Sequence, residues 1–211
     1  AFKRVRADTR ALSYLLVIPM KKIILASSSK YRRKLLSRIL RSFDSVSPDL
    51  DEKSYHTPEI APKDLAELLA KEKAQAVLKK FPDAIVIGSD QLVHFEDAVL
   101  GKPGTKQNAA LQLENFSGKS HELITAVCVC DKDNCFVETN ITSLTMKKLT
   151  HDSIQRYVDR DMPLDCAGSY KIEKLGICLF EHLNTEDPTA IEGLPLTIVV
   201  RLLSQLGVHV P

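Results

Sequence analysis

Four groups of residues combine types and positions that chemistry could use. Ser27, Ser28 and Ser29 precede residues 30–41, a run with helical spacing whose apolar stripe is set by Leu35, Leu36, Ile39 and Leu40. At about 100° per residue that stripe spans about 140°. Arg32 falls inside it, whereas Arg33 and Lys34 lie at its border or beyond. A guanidinium there either snorkels past the core edge or points into a pocket at the helix start, where free N–H groups and the helix dipole already favour an anion. The three hydroxyls beside it favour phosphate. A second run, residues 64–81, has an apolar face of Leu65, Leu68, Leu69, Ala76 and Val77, with Glu72 inside it and Lys73 on its flank. In one helix an ion pair explains such charges; two helices with charged inward faces point to a polar site. Asp90 follows the apolar run 84–88, behind Gly88 and Ser89. A carboxylate at the carboxyl end of a strand is placed to hold a divalent metal or to act as a general base, although Asp90 alone would also suit the start of a turn. Lys102, between Gly101 and Pro103, adds a cation on a stiff loop.

Hydroxyls and cations bind phosphates, and acids bind Mg²⁺, which neutralises phosphate charge and lowers the pKa of an attacking water. The mixture points to phosphoanhydride chemistry. No GxxxxGK[ST] occurs, so the chain is not a P-loop nucleotidase. The six histidines form no HExxH, His121 reads as structural, and no GxSxG elbow is present.

These residues need a frame, and the hydrophobic pattern supplies one. Residues 22–26 form a strand, a serine turn follows, and residues 30–41 form a helix with serine at its N-cap. Residues 42–47 make a second strand, 48–62 a loop, and 64–81 a long helix. Residues 84–88 are a buried strand ending at Ser89, and 92–100 a hairpin turned at Glu96-Asp97. A helix at 108–116 precedes two long strands, 122–130 and 135–147, joined by Asp131-Lys132-Asp133-Asn134. A helix at 152–161, irregular chain feeding a strand over 166–183, and a closing helix at 195–206 complete the order. Strands mixed with helices predict an α/β or α+β fold around a mixed sheet.

Composition agrees and narrows the function. The chain has 211 residues, 44% hydrophobic and 27% charged, with 29 basic and 27 acidic side chains. That is an ordinary globular balance, without the long apolar run a membrane helix needs. The first 19 residues carry Lys3, Arg4, Arg6 and Arg10 against Asp8, so the remaining body is near neutral, which argues against nucleic-acid binding. The basic start and short apolar run imitate a signal peptide, but Ser13 and Tyr14 interrupt the run. Residues 1–19 are read as an N-terminal extension or a cloning remnant ahead of Met20, and 20–211 as a single domain. Cys128, Cys130, Cys135, Cys166 and Cys178 contain no CxxC pair. They predict structural free thiols and a cytoplasmic location.

The residues that carry this chemistry also resemble the signatures of the Maf family of nucleotide pyrophosphatases. LASSSKYRRKLL (25–36) resembles LASxSxxRxxLL, and Asp51-Glu52, AKEKA (70–74), IGSDQ (87–91), GKP (101–103), SGKSHELITAV (117–127), CAGSYKIE (166–173) and GLPL (193–196) follow in order. The resemblance runs from about Lys21 to Gly207. It implies hydrolysis of a nucleoside triphosphate to the monophosphate and pyrophosphate with a divalent metal, Mg²⁺ or Mn²⁺. It also implies an inosine-triphosphatase-like α/β fold, with an elongated mixed sheet and a cleft between two lobes, and a homodimer. On this chain, Asp90 matches the catalytic acid and a metal ligand, and Glu52 a metal or water-positioning acid. Ser27, Ser29, Arg32, Lys73 and Lys102 match the phosphate-binding set. Lys30 departs from the proline that many members have, at a position that tolerates proline without requiring it.

Members acting on dTTP or UTP have Asp-Thr in place of Asp90-Gln91 and Gln in place of Glu173. Here Gln91, Glu173 and Tyr31 resemble the subgroup that prefers 7-methyl-GTP. N7-methylation leaves guanine positively charged. A carboxylate such as Glu173 can accept from N1–H and N2–H₂ while offsetting that charge, and an aromatic face such as Tyr31 can stack on the cation for about 0.5–2 kcal/mol. The competing expectations are a dTTP or UTP pyrophosphatase of the same family and a non-catalytic nucleotide-binding regulator of cell division.

Overall fold

A computed structural model describes residues 21–57 and 59–210 of the chain. The segment read as an N-terminal extension, residues 1–19, lies outside the described residues. In chain order the strands are β1 (Ile23–Ala26), β2 (Asp44–Val46), β3 (Ile85–Phe95), β4 (Ala98–Leu100), β5 (Ser120–Cys130), β6 (Cys135–Met146) and β7 (Phe180–Asn184). The helices are α1 (Lys30–Leu36), α2 (Pro62–Leu78), α3 (Lys106–Phe116), α4 (His151–Asp161) and α5 (Leu196–Gln205). The strands form one sheet in the order β2-β1-β3-β5-β6-β7, with β4 also on β3. β1 runs parallel to β2 and β3, and the other pairings are antiparallel. The expected mixed sheet is thus present. Among the described residues no helix is long and apolar enough to cross a membrane.

Alternation along the central strands builds two layers of core. Ile24, Ala26, Val86, Ala126 and Cys128 face α2, while Leu25, Ile85, Ile87, Val127 and Val129 face α1 and α5. Successive strand residues point to opposite faces, and a strand covered on both faces reads as a continuous apolar run. That is why β1 and the start of β3 are so uniformly hydrophobic. A further core gathers Val93, Leu123, Leu144 and Met146 against α3 and α4 at the other end of the long strands. Cys128 and Cys130 are buried as expected of structural thiols, and the Cys128 sulfur lies 3.5 Å from that of Cys135, which is exposed.

Two elements differ from the sequence reading. α1 stops at Leu36 instead of reaching Arg41. The Ser37 hydroxyl turns back to donate to the Lys34 carbonyl, a local bond that competes with helix continuation. β3 does not end at Ser89: it runs through Asp90 to Phe95, so Asp90 does not stand beyond a strand end. β5 pairs with β3 continuously from Val86 to His94 and keeps it extended. On the other edge of β3, β1 pairs with Ile85–Ile87 and β4 with Val93–Phe95. Residues 88–92 therefore face a gap in the sheet, just past the carboxyl end of β1. The strand-end rule holds for β1, and Asp90 is the β3 residue that looks into its gap.

Candidate active site

The gap opens into a cavity of about 480 Å³. Ser27, Ser29 and Arg32 enter it from the turn after β1 and from α1; Asp90 and Gln91 enter from β3. Lys73 comes from α2, Glu52 from the short helical turn Glu52–Tyr55, and Lys102 from the loop after β4. A smaller pocket of about 140 Å³ shares Tyr31, Arg32, Gln91 and Lys102 with the first and continues it past Glu173. All ten residues singled out from the sequence thus line one continuous cleft.

Gly88 sets the depth of the site. A Cβ there would stand 2.2 Å from the Ala70 carbonyl oxygen and 2.9 Å from the Ala74 Cβ. Only glycine lets α2 lie this close to β3. The close crossing drops Lys73 beside Asp90, with Nζ 2.6 Å from Asp90 Oδ1 and 2.8 Å from Glu52 Oε1. One ammonium holds two carboxylates together. Asp90 Oδ2 is buried with no hydrogen-bond partner.

The face of α2 differs from the expected one. Lys73 is buried and Glu72 is only half-buried, where the periodicity placed Glu72 inward and Lys73 on the flank. The buried stripe runs Leu65, Ala66, Leu69, Ala70, Lys73, Ala74 and Val77, whereas Leu68 and Ala76 are only half-buried. Alanines mark the closest approach to the sheet, so a face defined by its leucines points slightly wrong. Glu72 does not pair with Lys73; it accepts a hydrogen bond from the Tyr55 hydroxyl at 3.4 Å.

The serine turn is tightly organised. Ser27 Oγ accepts from the Ser29 N–H at 3.1 Å, and Ser29 Oγ caps α1 by accepting from the Arg32 N–H at 3.4 Å. Arg32 Nε donates to the Gly193 carbonyl at 2.9 Å. Burial lowers the pKa of its guanidinium, while Asp90 and Glu52 raise it, and an arginine stays charged throughout. Lys102 is exposed at the cleft wall.

In the smaller pocket the Tyr31 hydroxyl donates to Asp165 at 3.4 Å. Burial, with Cys166 and Asp165 nearby, raises its pKa, so the phenol stays neutral. The Lys30 ammonium sits 5.0 Å from the Tyr31 ring centroid. Asp165 also pairs with Lys171 and Lys30. Burial pushes its carboxyl up, but Lys171 above all outweighs that and holds it at about 2. Asp165 and Glu192, which both line this pocket, were not singled out from the sequence. Asp165 immediately precedes CAGSYKIE and Glu192 immediately precedes GLPL, so adjacency to those motifs was the available signal.

The donor set suits a divalent cation held partly by its ligand. Among the described residues no three His, Cys, Asp or Glu side chains form a cage for a metal. Mg²⁺ typically needs only one or two carboxylates, with water and substrate phosphate completing its shell. The unpartnered Asp90 Oδ2 beside Glu52 offers that much.

Comparison with known proteins adds a family. Residues 22–206 match the Maf-like protein family. The chain is 50% identical to a 7-methyl-GTP pyrophosphatase from Bdellovibrio bacteriovorus, over 88% of this chain and 97% of that protein. It is 45% identical to a 7-methyl-GTP pyrophosphatase from Xanthomonas axonopodis pv. citri, over 91% of this chain and 100% of that protein. A solved nucleoside-triphosphatase / dITP/XTP pyrophosphatase from Mycobacterium abscessus superposes with a TM-score of 0.47 at 18% identity, covering 88% of this chain and 98% of that one.

Proposed function

This chain belongs to the Maf-like protein family, and on that footing we propose that it hydrolyses 7-methyl-GTP to the monophosphate and pyrophosphate. One observation carries the reading: a cavity lined by cations and two lysine-held carboxylates continues into a smaller pocket with an aromatic ring and further carboxylates. The first suits a triphosphate and the second a cationic base. The names of relatives at 50% and 45% identity support the substrate.

The residues divide the work by position. Arg32, Lys102 and the Ser27 and Ser29 hydroxyls bind and orient the phosphates. Lys73 fixes Asp90 through Oδ1 and so orients the carboxylate that acts as the general base. Asp90 and Glu52 would hold a divalent cation, Mg²⁺ or Mn²⁺, which when bound neutralises phosphate charge and makes water more acidic. Tyr31 stacks on the base and Glu173 accepts its N–H groups.

The same reading makes the protein a cytoplasmic homodimer acting on free nucleotide; its free thiols support the location, and its near-neutral charge a free nucleotide over a nucleic acid. Pyrophosphate release with Mg²⁺ or Mn²⁺ across 7-methyl-GTP, GTP, dTTP and UTP tests it. Selective turnover of 7-methyl-GTP is expected. Turnover of dTTP or UTP would transfer the assignment to that branch of the family. Binding of nucleotide without product would make the protein a regulator.

A further inference from the structure

Gln91 lines both pockets, and its amide nitrogen is turned onto the protein. Its Nε2 lies 3.0 Å from Thr125 Oγ1, 2.8 Å from the Ala190 carbonyl and 3.3 Å from the Ile191 carbonyl. A side-chain amide has two N–H groups, and three acceptors already compete for them. That end of Gln91 is fully used, and it is used on one short segment of backbone.

Other side chains of the site grip the same segment. Thr125 Oγ1 donates to the Ala190 carbonyl at 3.2 Å. Arg32 Nε and Ser89 Oγ both donate to the Gly193 carbonyl, at 2.9 and 3.0 Å. Gly193 turns with φ +102°, a conformation that side chains rarely adopt, and a Cβ there would sit 3.5 Å from Arg32 Nε. Residues 190–193 are therefore a strap clamped on both sides by α1, β3 and β5. Within the strap, Ala190, Ile191 and Gly193 are buried. Glu192 is the half-buried residue between the clamps, and it lines the smaller pocket together with Glu173.

We infer that Glu192 determines specificity for a positively charged nucleobase and that Gln91 is the positioning residue that holds it. The inference rests on the pyrophosphatase reading of the site. One carboxylate, Glu173, suffices to accept two adjacent N–H groups from guanine or from N7-methylguanine. It cannot tell them apart by those donors, because both bases have them. A second carboxylate changes the comparison. Against a cationic base it is compensated; against a neutral base it leaves two like charges, half-buried Glu192 and exposed Glu173, sharing one pocket. Selection then works partly by penalising the wrong ligand. Burial and the charge of Glu173 both raise the Glu192 carboxyl pKa, with Lys34 and Arg38 pulling the other way, as expected for carboxylates that sense one another.

The test is kcat/KM for 7-methyl-GTP and for GTP in the wild type and in Glu192→Gln, Glu192→Asp and Gln91→Met. In Glu192→Gln the ratio of the two should fall about tenfold, carried mainly by a higher KM for 7-methyl-GTP. Glu192→Asp should restore part of the preference. Gln91→Met should lower the ratio in the same direction, and adding it to Glu192→Gln should lower it no further, which a merely structural role would not produce. Thermal melts show that each variant is folded. A preference that survives Glu192→Gln would overturn this inference and leave the pyrophosphatase reading intact. A wild type that hydrolyses both equally would overturn the inference and leave the pyrophosphatase chemistry standing, and one that hydrolyses neither would overturn both.

Discussion

Lys73 and Asp90 meet at 2.6 Å with both side chains nearly sealed from water, at 7% and 6% exposure. Such a pair is expensive to break from one side, because the abandoned carboxylate stays buried. Lys73→Met should cost about 3 kcal/mol of stability and should also cost activity, since Asp90 and Glu52 lose the group that holds them together. Urea denaturation at pH 7 measures the first effect and pyrophosphate release the second. Unchanged stability would mean that the two carboxylates find another partner.

Gly88→Ala probes the same contact from the sheet. The added methyl would meet the Ala70 carbonyl at 2.2 Å, backbone that has no rotamer to escape into. Overpacking of this kind costs about 1–3 kcal/mol, and pushing α2 outward lifts Lys73 away from Asp90. The expected outcome is a lower melting temperature together with lower turnover. A variant with wild-type stability would show that α2 can slide without loss.

Much of this site is legible in the sequence, and the exceptions have physical causes. Arg32 stood out because a guanidinium broke an apolar stripe. Asp90 stood out because it followed the most hydrophobic run. Its setting was not legible: Ser89, Asp90 and Gln91 are three polar residues in succession that interrupt the strand pattern, and only pairing with β5 shows that the strand continues. Lys73 was placed on the flank because alanine, the residue of closest helix–sheet approach, contributes little to a hydrophobic pattern. Gln91 was singled out because it stands where members acting on dTTP or UTP have Thr; its partners Ala190 and Ile191 lie about a hundred residues away, beyond the reach of any local pattern. Glu192 was hidden for the same reason.

His121 gives the fold a pH dependence. It is buried, stacked on Phe116 at 4.4 Å, and hydrogen-bonded between Nε2 and the Tyr170 hydroxyl at 2.9 Å. Burial lowers its pKa from 6.5 to about 4. Above pH 6.5 the ring is neutral in both folded and unfolded chains. As pH falls from 6.5 to 4 the unfolded chain takes up a proton that the folded one refuses, and stability is lost by roughly 3 kcal/mol. Urea midpoints across that range should fall in the wild type and fall less in His121→Gln. Parallel curves for the two proteins would assign the acid sensitivity elsewhere.

The central claim is that Asp90 does chemistry and does not merely bind. Asp90→Asn keeps the shape of the side chain and removes its ability to accept a proton. The decisive measurement is pyrophosphate release from 7-methyl-GTP by this variant, alongside nucleotide binding by calorimetry. The account predicts a loss of turnover of about 100-fold or more in a folded protein that still binds the nucleotide. Turnover at the wild-type rate would contradict it.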